Sequence, residues 1–582
     1  MTSAITVLHR LMGRYTSVWA VDFEFTARPG ELVRVICMVA IDLFSGRVVR
    51  LWADDLAKLT CAPFDTGPKA LFVAYFATAE ALAFLALGWP APANLIDLFV
   101  EFRVRTNGLP LVHGRGLLGA LAYFGLDGIH ALEKAEMREL ANRGEPYPPE
   151  ERRPLLDYCQ TDVVALAALL PAMVDQLDLD RALLRGAYMF ALARVEATGV
   201  PIDAATWRLL LKHWARLRAW IIAQVDEAYG VYVNGSFTIS RFDAWLLRAG
   251  IPWPRLPSGR LRLDGETFDA MALSHPRVRG LRDLRATLGK MTTPKLAVGR
   301  DGRNRVMLSA FSSKTGRNQP SNAAFIFGAA RWMRWLIRPV QGRAIAYIDW
   351  EQQEFAIAAW LSGDANMIAA YLSGDCYMAF AILDGAAPVG ATKATHGAVR
   401  DKYKRCVLAT QYLMSAESLA VSMGCDFATA RALLDAHRKT FTTFWAWAER
   451  HYNAAALSGR AVATYGWPLH LTNETKARTV YNFPMQANGA EMLRIAIILA
   501  IDAGLEVCAP VHDAILIEAD ADAIDAAVAK AQECMAQASA YVLGGFRLRT
   551  DAEIVRWPDR FPGKAGDPIL AAVQSFLATV AP

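Results

Sequence analysis

Three apolar, β-branched runs mark the first eighty residues. Val18–Phe25 (VWAVDFEF) and Val33–Leu43 (VRVICMVAIDL) flank the turn-prone Arg28-Pro29-Gly30, and Ala70–Phe76 (ALFVAYF) precedes a helix-like segment. Runs of this kind predict buried strands, so the N-terminal third is expected to be an α/β layer. A helix-like stretch over Leu155–Leu177 closes it, and charged, helix-forming sequence from Arg181 opens a second body. The predicted domains are therefore 1–180 and 181–582. From about Asp203 to Lys290, amphipathic helical stretches alternate with Pro- and Gly-containing turns. Further on, Ile348–Asp364 (IDWEQQEFAIAAWLSGD) puts Asp349 after an apolar run and Glu354 at the start of an apolar helix, and Pro510–Glu518 (PVHDAILIE) puts Asp513 beside another strand-like run. Two carboxylates brought together on adjacent strands repel unless divalent cations lie between them, so this pair predicts metal-assisted phosphoryl chemistry.

Composition narrows the partners. At 582 residues the chain is too long for one core. A net charge of +5 is small for that size, so any nucleic-acid footprint must be local. One basic run, Arg277 to Arg305, is by itself a solvated face; it gains weight by preceding Ser313–Asn322 (SKTGRNQPSN), where Lys314 and Arg317 sit among residues suited to phosphate and minor-groove contacts. The eight cysteines are scattered without metal-ligand spacing, which predicts a reducing, cytoplasmic setting without structural zinc or a disulfide framework. Arg10 and Arg14 interrupt the N-terminal apolar stretch and argue against a secretory signal. Glu80, Pro90, Pro92 and Asp97 break the most apolar region, Ala70–Val100, so no membrane span is expected.

Asp22 and Glu24 stand at i and i+2 of a predicted strand and point to one face, a costly arrangement that a metal would relieve. Tyr158 and Asp162, four apart on a predicted helix, could converge on a metal-bound water. Either pair alone reads more simply as an exposed strand end or helix face. Together, with Glu80 between them, the series resembles the DnaQ-like 3′–5′ exonucleases over roughly residues 15–180. That resemblance implies a mixed, RNase H-like sheet and two metals held by Asp22, Glu24, Glu80 and Asp162, with Tyr158 beside them, removing nucleotides from a single-stranded 3′ end. The middle motif departs from the family, which has Asn and then Phe-Asp; Glu80 is ranked ahead of Asp97, whose place matches a mostly structural family aspartate.

Beyond Arg181, six segments follow one another in the order found in family A DNA polymerases, relatives of bacterial DNA polymerase I: ALARVEATGVPID, SKTGR, IDWEQQEFAIAAWLSGD, RDKYKRCVLATQY, RTVYNFPMQANGAE and PVHDAILIE. The resemblance implies an α+β right hand, with the thumb at about 203–310, the palm at about 311–365 and 470–582, and the fingers at about 366–469. It implies that Asp349 and Asp513, with Trp350, hold two magnesium ions, replaceable by manganese, while a primer 3′-hydroxyl attacks an α-phosphate in line. Arg400, Lys404, Leu408 and Tyr412 recur every four residues on one predicted helix face. In the family, residues matching Arg400 and Lys404 grip the triphosphate, and Lys404 is also counted among the catalytic residues. Glu354 matches the steric gate that favours deoxynucleotides, although a helix-start glutamate also suits the dipole. The resemblance also implies Gln352 and His512 as substrate contacts. Lys314, Arg317, Arg478, Asn482 and Gln486 match contacts to primer-template DNA.

Three positions depart from that family. Leu408 replaces an aromatic ring, Leu413 replaces a glycine, and Ala514 replaces the second acid after Asp513. The expected activity is template-directed DNA synthesis with 3′–5′ proofreading, on a compact plan like that of phage replicative members, hence in a host cytoplasm if phage-encoded. No 5′-nuclease domain is expected ahead of Asp22, and a helicase or processivity partner is not readable. Alternatives are a polymerase with a vestigial exonuclease and a non-catalytic DNA-binding accessory factor. Glu354 and the exonuclease motifs speak against a single-subunit RNA polymerase.

Overall fold

The computed structural model describes residues 13–126, 131–292, 294–563 and 566–580, so Arg10 lies outside the described residues. The N-terminal body is built on a five-stranded sheet of β1 (Ser17–Thr26), β2 (Arg34–Asp42), β3 (Val48–Trp52), β4 (Ala70–Ala74) and β5 (Leu95–Asp97), ordered β3-β2-β1-β4-β5. β1 runs antiparallel to β2 and parallel to β4, so the sheet is mixed. Its central strand is apolar on both faces. Trp19, Val21 and Phe23 join one core, and Val18 and Ala20 join another that includes Cys159, Val163 and Leu166. Helices therefore cover both sides: α1 (Thr78–Leu87), α2 (Leu98–Thr106) and the long α3 (Pro149–Val174). Among the described residues, α3 alone is long and apolar enough to cross a membrane; it packs instead on β1 and β2 and carries Tyr158 and Asp162.

The predicted boundary at Arg181 falls inside α4 (Leu179–Thr198), which Asp178 caps at the N–H of Arg181. This helix belongs to both bodies. Gly186 lies so close to the Leu95 carbonyl that a Cβ would stand 1.9 Å from it. Arg185 makes a buried two-pronged ion pair with Glu101 of α2 at 2.6 and 2.7 Å, while the same helix packs against elements of the C-terminal half.

Two helical arms leave the second body. The first includes α5 (Trp214–Asp226), α6 (Gly265–Ser274) and α7 (Arg279–Lys290). The chain then enters β6 (Arg343–Trp350) and α8 (Gln353–Ser362) before the second arm, which holds α9 (Cys376–Leu383), α10 (Lys393–Gln411), α11 (Ala416–Met423) and α12 (Phe427–Thr440). It returns through α13 (Ala477–Asp502), β7 (Glu506–Val511), β8 (Ala514–Asp520), α14 (Ile524–Val542) and β9 (Thr550–Arg556). These strands form an antiparallel sheet ordered β7-β8-β6-β9. Ala344, Ile345, Ala346 and Ile348 of its central strand are fully buried, with α13 and α14 packed together behind it. A rigid platform results, and its acids sit at one strand end.

Candidate active site

Asp349 closes the apolar run of β6 and pairs in register with Ala514 on one side and Asp551 on the other. The turn between β7 and β8 has only two residues, His512 and Asp513, and His512 adopts a φ of +58°. A non-glycine residue in this left-handed region is strained, which the flanking ladder sustains. The turn delivers Asp513 beside Asp349, and their carboxyl groups hydrogen-bond to each other. Burial first, then the charge of Asp513, pushes Asp349 up to about 7. Burial likewise raises Asp513, opposed by Arg317 and His512. Asp349 Oδ1 is buried with no hydrogen-bond partner among the described residues. Repelling acids with an orphaned oxygen fit a divalent cation. Trp350 is buried and offers no ligating side-chain atom, so only its main-chain carbonyl could contribute.

Around this pair the chain assembles polar groups from distant segments. Arg317 Nη2 lies 3.5 Å from Glu354 Oε1. Burial raises Glu354, while Arg317 and a hydrogen bond from Gln486 pull it back. Gln486 also donates to the Tyr412 hydroxyl at 3.1 Å, bridging α13 to the end of α10. Arg478, Asn482 and Gln486 do share α13 at four-residue spacing, from exposed Arg478 to buried Asn482. The loop that aims Arg317 is held from outside its own segment. Asn107 Nδ2 and Trp467 Nε1 donate to the Lys314 carbonyl at 2.6 and 3.0 Å, and Arg494 Nη1 donates to the Gly316 carbonyl at 2.8 Å. Gly316 has a φ of +75° and packs on the Trp467 ring, where a Cβ would stand 3.1 Å away. The Lys314 side chain itself is exposed. A cavity of about 540 Å³ opens beside this loop, lined by Arg317, Gln319, Asn322, Arg334 and His512.

On α10, Arg400 and Lys404 both face the ring of Tyr377, at 5.2 and 5.6 Å from its centroid. Arg400 also pairs with Asp375, which caps α9 through the N–H groups of Tyr377 and Met378. Leu408 is 42% exposed and Tyr412 45% exposed, and Tyr412 is the residue that ends the helix. Gln352, with a φ of +53°, spends its amide on the loop before α9: its Nε2 donates to the Gly374 carbonyl and its Oε1 accepts from Cys376 N, both at 3.0 Å. Its role here is to hold the loop that presents Asp375 and Tyr377. Sequence patterning misses Tyr377, Asn107, Trp467 and Arg494 because each acts through a contact between distant segments; Tyr377 alone left a local trace, an aromatic just after the capping Asp375.

A second acidic cluster sits in the N-terminal body. One carboxylate oxygen from each of Asp22, Glu24 and Asp162 lies within 4.8 Å of the others. β1 presents the first two on the face that α3 covers, which is why α3 can supply the third. Tyr158 hydrogen-bonds to Asp162, and burial with the nearby acids raises its pKa. Glu80, in the first turn of α1, lies outside that tight group but is raised by burial and by Asp22, Asp97 and Asp162, and its Oε2 has no hydrogen-bond partner among the described residues. Asp97 instead serves the backbone, its carboxylate accepting the N–H groups of Phe76, Ala77, Phe99 and Val100 at 2.8–3.3 Å. It thereby caps α2 and fixes the turn, with Phe76 at a φ of +69°, that leads into α1. The orphaned oxygen and the clustered acids fit one or more divalent cations.

Residues 308–555 match the family model of DNA polymerase family A. The chain is similar to the thermostable DNA polymerase I of Thermus aquaticus, 23% identical over 374 residues that cover 59% of this chain and 44% of that protein. To that of Thermus thermophilus it is 24% identical over 379 residues, covering 60% and 44%. It thus spans less than half the length of these curated relatives. In fold it resembles the POL domain of Pol1 from M. smegmatis, solved in complex with DNA primer-template and dNTP, with a TM-score of 0.69 and 17% identity over 94% of this chain and 97% of that one. The likeness is to a right-hand polymerase fold.

Proposed function

With a DNA polymerase family A domain in residues 308–555, we propose that this chain extends a primer along a DNA template from deoxynucleoside triphosphates and trims its 3′ end. The observation that carries the synthetic half is the convergence of Asp349 and Asp513 with Glu354, Arg317, Gln486 and Tyr412 on one strand end. In this reading the four-stranded sheet is the palm, the arm bearing α6 the thumb, and the arm bearing α10 the fingers.

Asp349, Asp513 and the Trp350 carbonyl would hold the divalent cations, read as magnesium, whose charge would neutralise the triphosphate and lower the pKa of the primer hydroxyl. The remaining work falls to the chain. Arg400 and Lys404, braced on Tyr377, bind the triphosphate and set its leaving pyrophosphate in line. Lys404 would protonate that leaving group, while Tyr412 and Leu408 would pack the incoming sugar and base. Glu354, held by Arg317 and Gln486, fills the space a ribose 2′-hydroxyl needs. Arg317 and His512 flank the cavity beside the acids and suit the primer end.

The proofreading half rests on the Asp22, Glu24 and Asp162 cluster, with Glu80 supplying a further carboxylate and Tyr158 orienting an attacking water. Primer extension with magnesium and four deoxynucleotides, compared between wild type and Asp349→Ala, tests synthesis. Digestion of a mismatched primer by Asp22→Ala tests excision: digestion as fast as wild type removes that half of the proposal.

A further inference from the structure

We propose that the far ends of the two arms form a clasp that closes the DNA cleft into a ring, so that DNA without free ends enters only when the clasp opens. The inference rests on the polymerase reading above. Both arms join the body that carries Asp349 and Asp513, and α6 of one packs against α11 of the other. Ser274 Oγ, at the last residue of α6, donates to the Val421 carbonyl of α11 at 3.1 Å. A Cβ on Gly424, just past α11, would stand 3.7 Å from the Ser274 Cα, so the two backbones meet closely. A path from the sheet out along one arm, across this contact and back along the other is continuous protein.

The contact is a helix-on-helix packing between the two arms. Val421 is 49% exposed and Leu273 39% exposed, so both of these apolar side chains stay partly in solvent there. Each side, by contrast, is firmly fixed to its own arm. Phe268 of α6 stacks on Phe242 at 5.5 Å and meets Trp253 at 4.8 Å, with the Arg285 guanidinium 4.5 Å from its centroid. Leu419 of α11 is buried with Ala409 and Ala430, and Arg405 of α10 donates to the Ser422 carbonyl at 3.4 Å. Relative motion of two internally packed arms is taken up where they meet. Only Leu413, Met414 and Ser415 separate Tyr412 from α11, which ties the clasp to the helix that faces the nucleotide.

The test uses full-length Ser274→Cys/Val421→Cys protein with Cys61 and Cys425 replaced by serine, joined by a short bis-maleimide. Neither cysteine position belongs to the active site. The uncrosslinked variant is expected to extend linear and circular primed templates alike; failure on both overturns the polymerase reading itself. Protein joined before DNA is added is expected to extend a linear primer-template but to load onto a primed single-stranded circle roughly tenfold more slowly or worse. Protein joined after loading is expected to stay on the circle through a high-salt wash and to leave when a nuclease opens it. Three results overturn the clasp: no cross-link, equal loading of joined protein on circle and linear DNA, or loss of extension on linear DNA once joined.

Discussion

Asp349 and Asp513 hydrogen-bond to each other across a strand end, and burial pushes Asp349 up to about 7 and raises Asp513 as well. The pair is therefore a stored repulsion that a cation relieves. An unfolded aspartate titrates near ~3.9, so between that value and about 7 the folded state holds a proton that the unfolded state lacks. Stability from this group is greatest below ~3.9, falls as pH rises toward 7, and is flat above it. Metal-free protein is expected to lose thermal stability from pH 4 to pH 7, and added magnesium to raise the melting temperature more at pH 8 than at pH 5. Asp349→Asn should remove most of that difference, be more stable than wild type without metal at pH 8, and lower extension by about 10³-fold or more. Scanning calorimetry at the two pH values checks this; equal magnesium shifts at both would remove the account.

Tyr377 braces Arg400 and Lys404 through its ring. Removing the ring frees both cations to wander, whereas removing only the hydroxyl does not. Tyr377→Phe is expected to keep near-normal incorporation, and Tyr377→Ala to raise KM for deoxynucleotides and lose about tenfold in kcat/KM, a single supporting contact's worth. Arg400→Ala, which deletes the charge itself, should lose about 10²–10³-fold. Single-nucleotide incorporation kinetics separate the three variants, and equal losses in Phe and Ala would point to the hydroxyl instead.

Leu413 occupies a φ of +48°, where the resembling family has glycine. A β-carbon in that region costs about 1 kcal/mol that glycine avoids. Leu413→Gly is expected to stabilise the protein by up to about 1 kcal/mol, offset in part by the more flexible unfolded chain, while Leu413→Ala should not. Denaturant midpoints of the three proteins decide this, and a destabilised glycine variant would mean that the Leu413 side chain contributes more packing than its backbone costs.

Much of this arrangement is legible in the chain because it is local. The strand runs around Asp22 and Asp349 announce themselves by composition, and the four-residue spacings on α10 and α13 survive as helix faces. What is not legible depends on contacts across the fold. Asn107, Trp467 and Arg494 grip the Arg317 loop from segments about 150 to 210 residues away, and no period or motif marks them. α4 hides the domain boundary for the same reason: its sequence reads as charged and helix-forming, yet it packs against elements of both bodies. Gln352 shows a residue placed by motif whose amide is engaged in scaffold rather than turned to the site.

The N-terminal acids give the sharpest division of roles. Asp97 is raised to about 6 by burial, yet its carboxylate is hydrogen-bonded to four backbone amides. Glu80 carries an oxygen without a partner among the described residues and faces Asp22 and Asp162. Asp97→Asn replaces an acceptor oxygen with a donor facing N–H groups, and should cost about 2–3 kcal/mol with a loosened turn at Phe76. Glu80→Gln removes a buried ionisable group and should leave folding intact or stronger without metal, while weakening cation binding and slowing excision by about 10–100-fold. Melting curves with and without manganese, read beside mismatch excision, distinguish the two: a Glu80→Gln protein that binds manganese and excises like wild type would take Glu80 out of the site, and a stable Asp97→Asn protein would deny Asp97 its place in the turn.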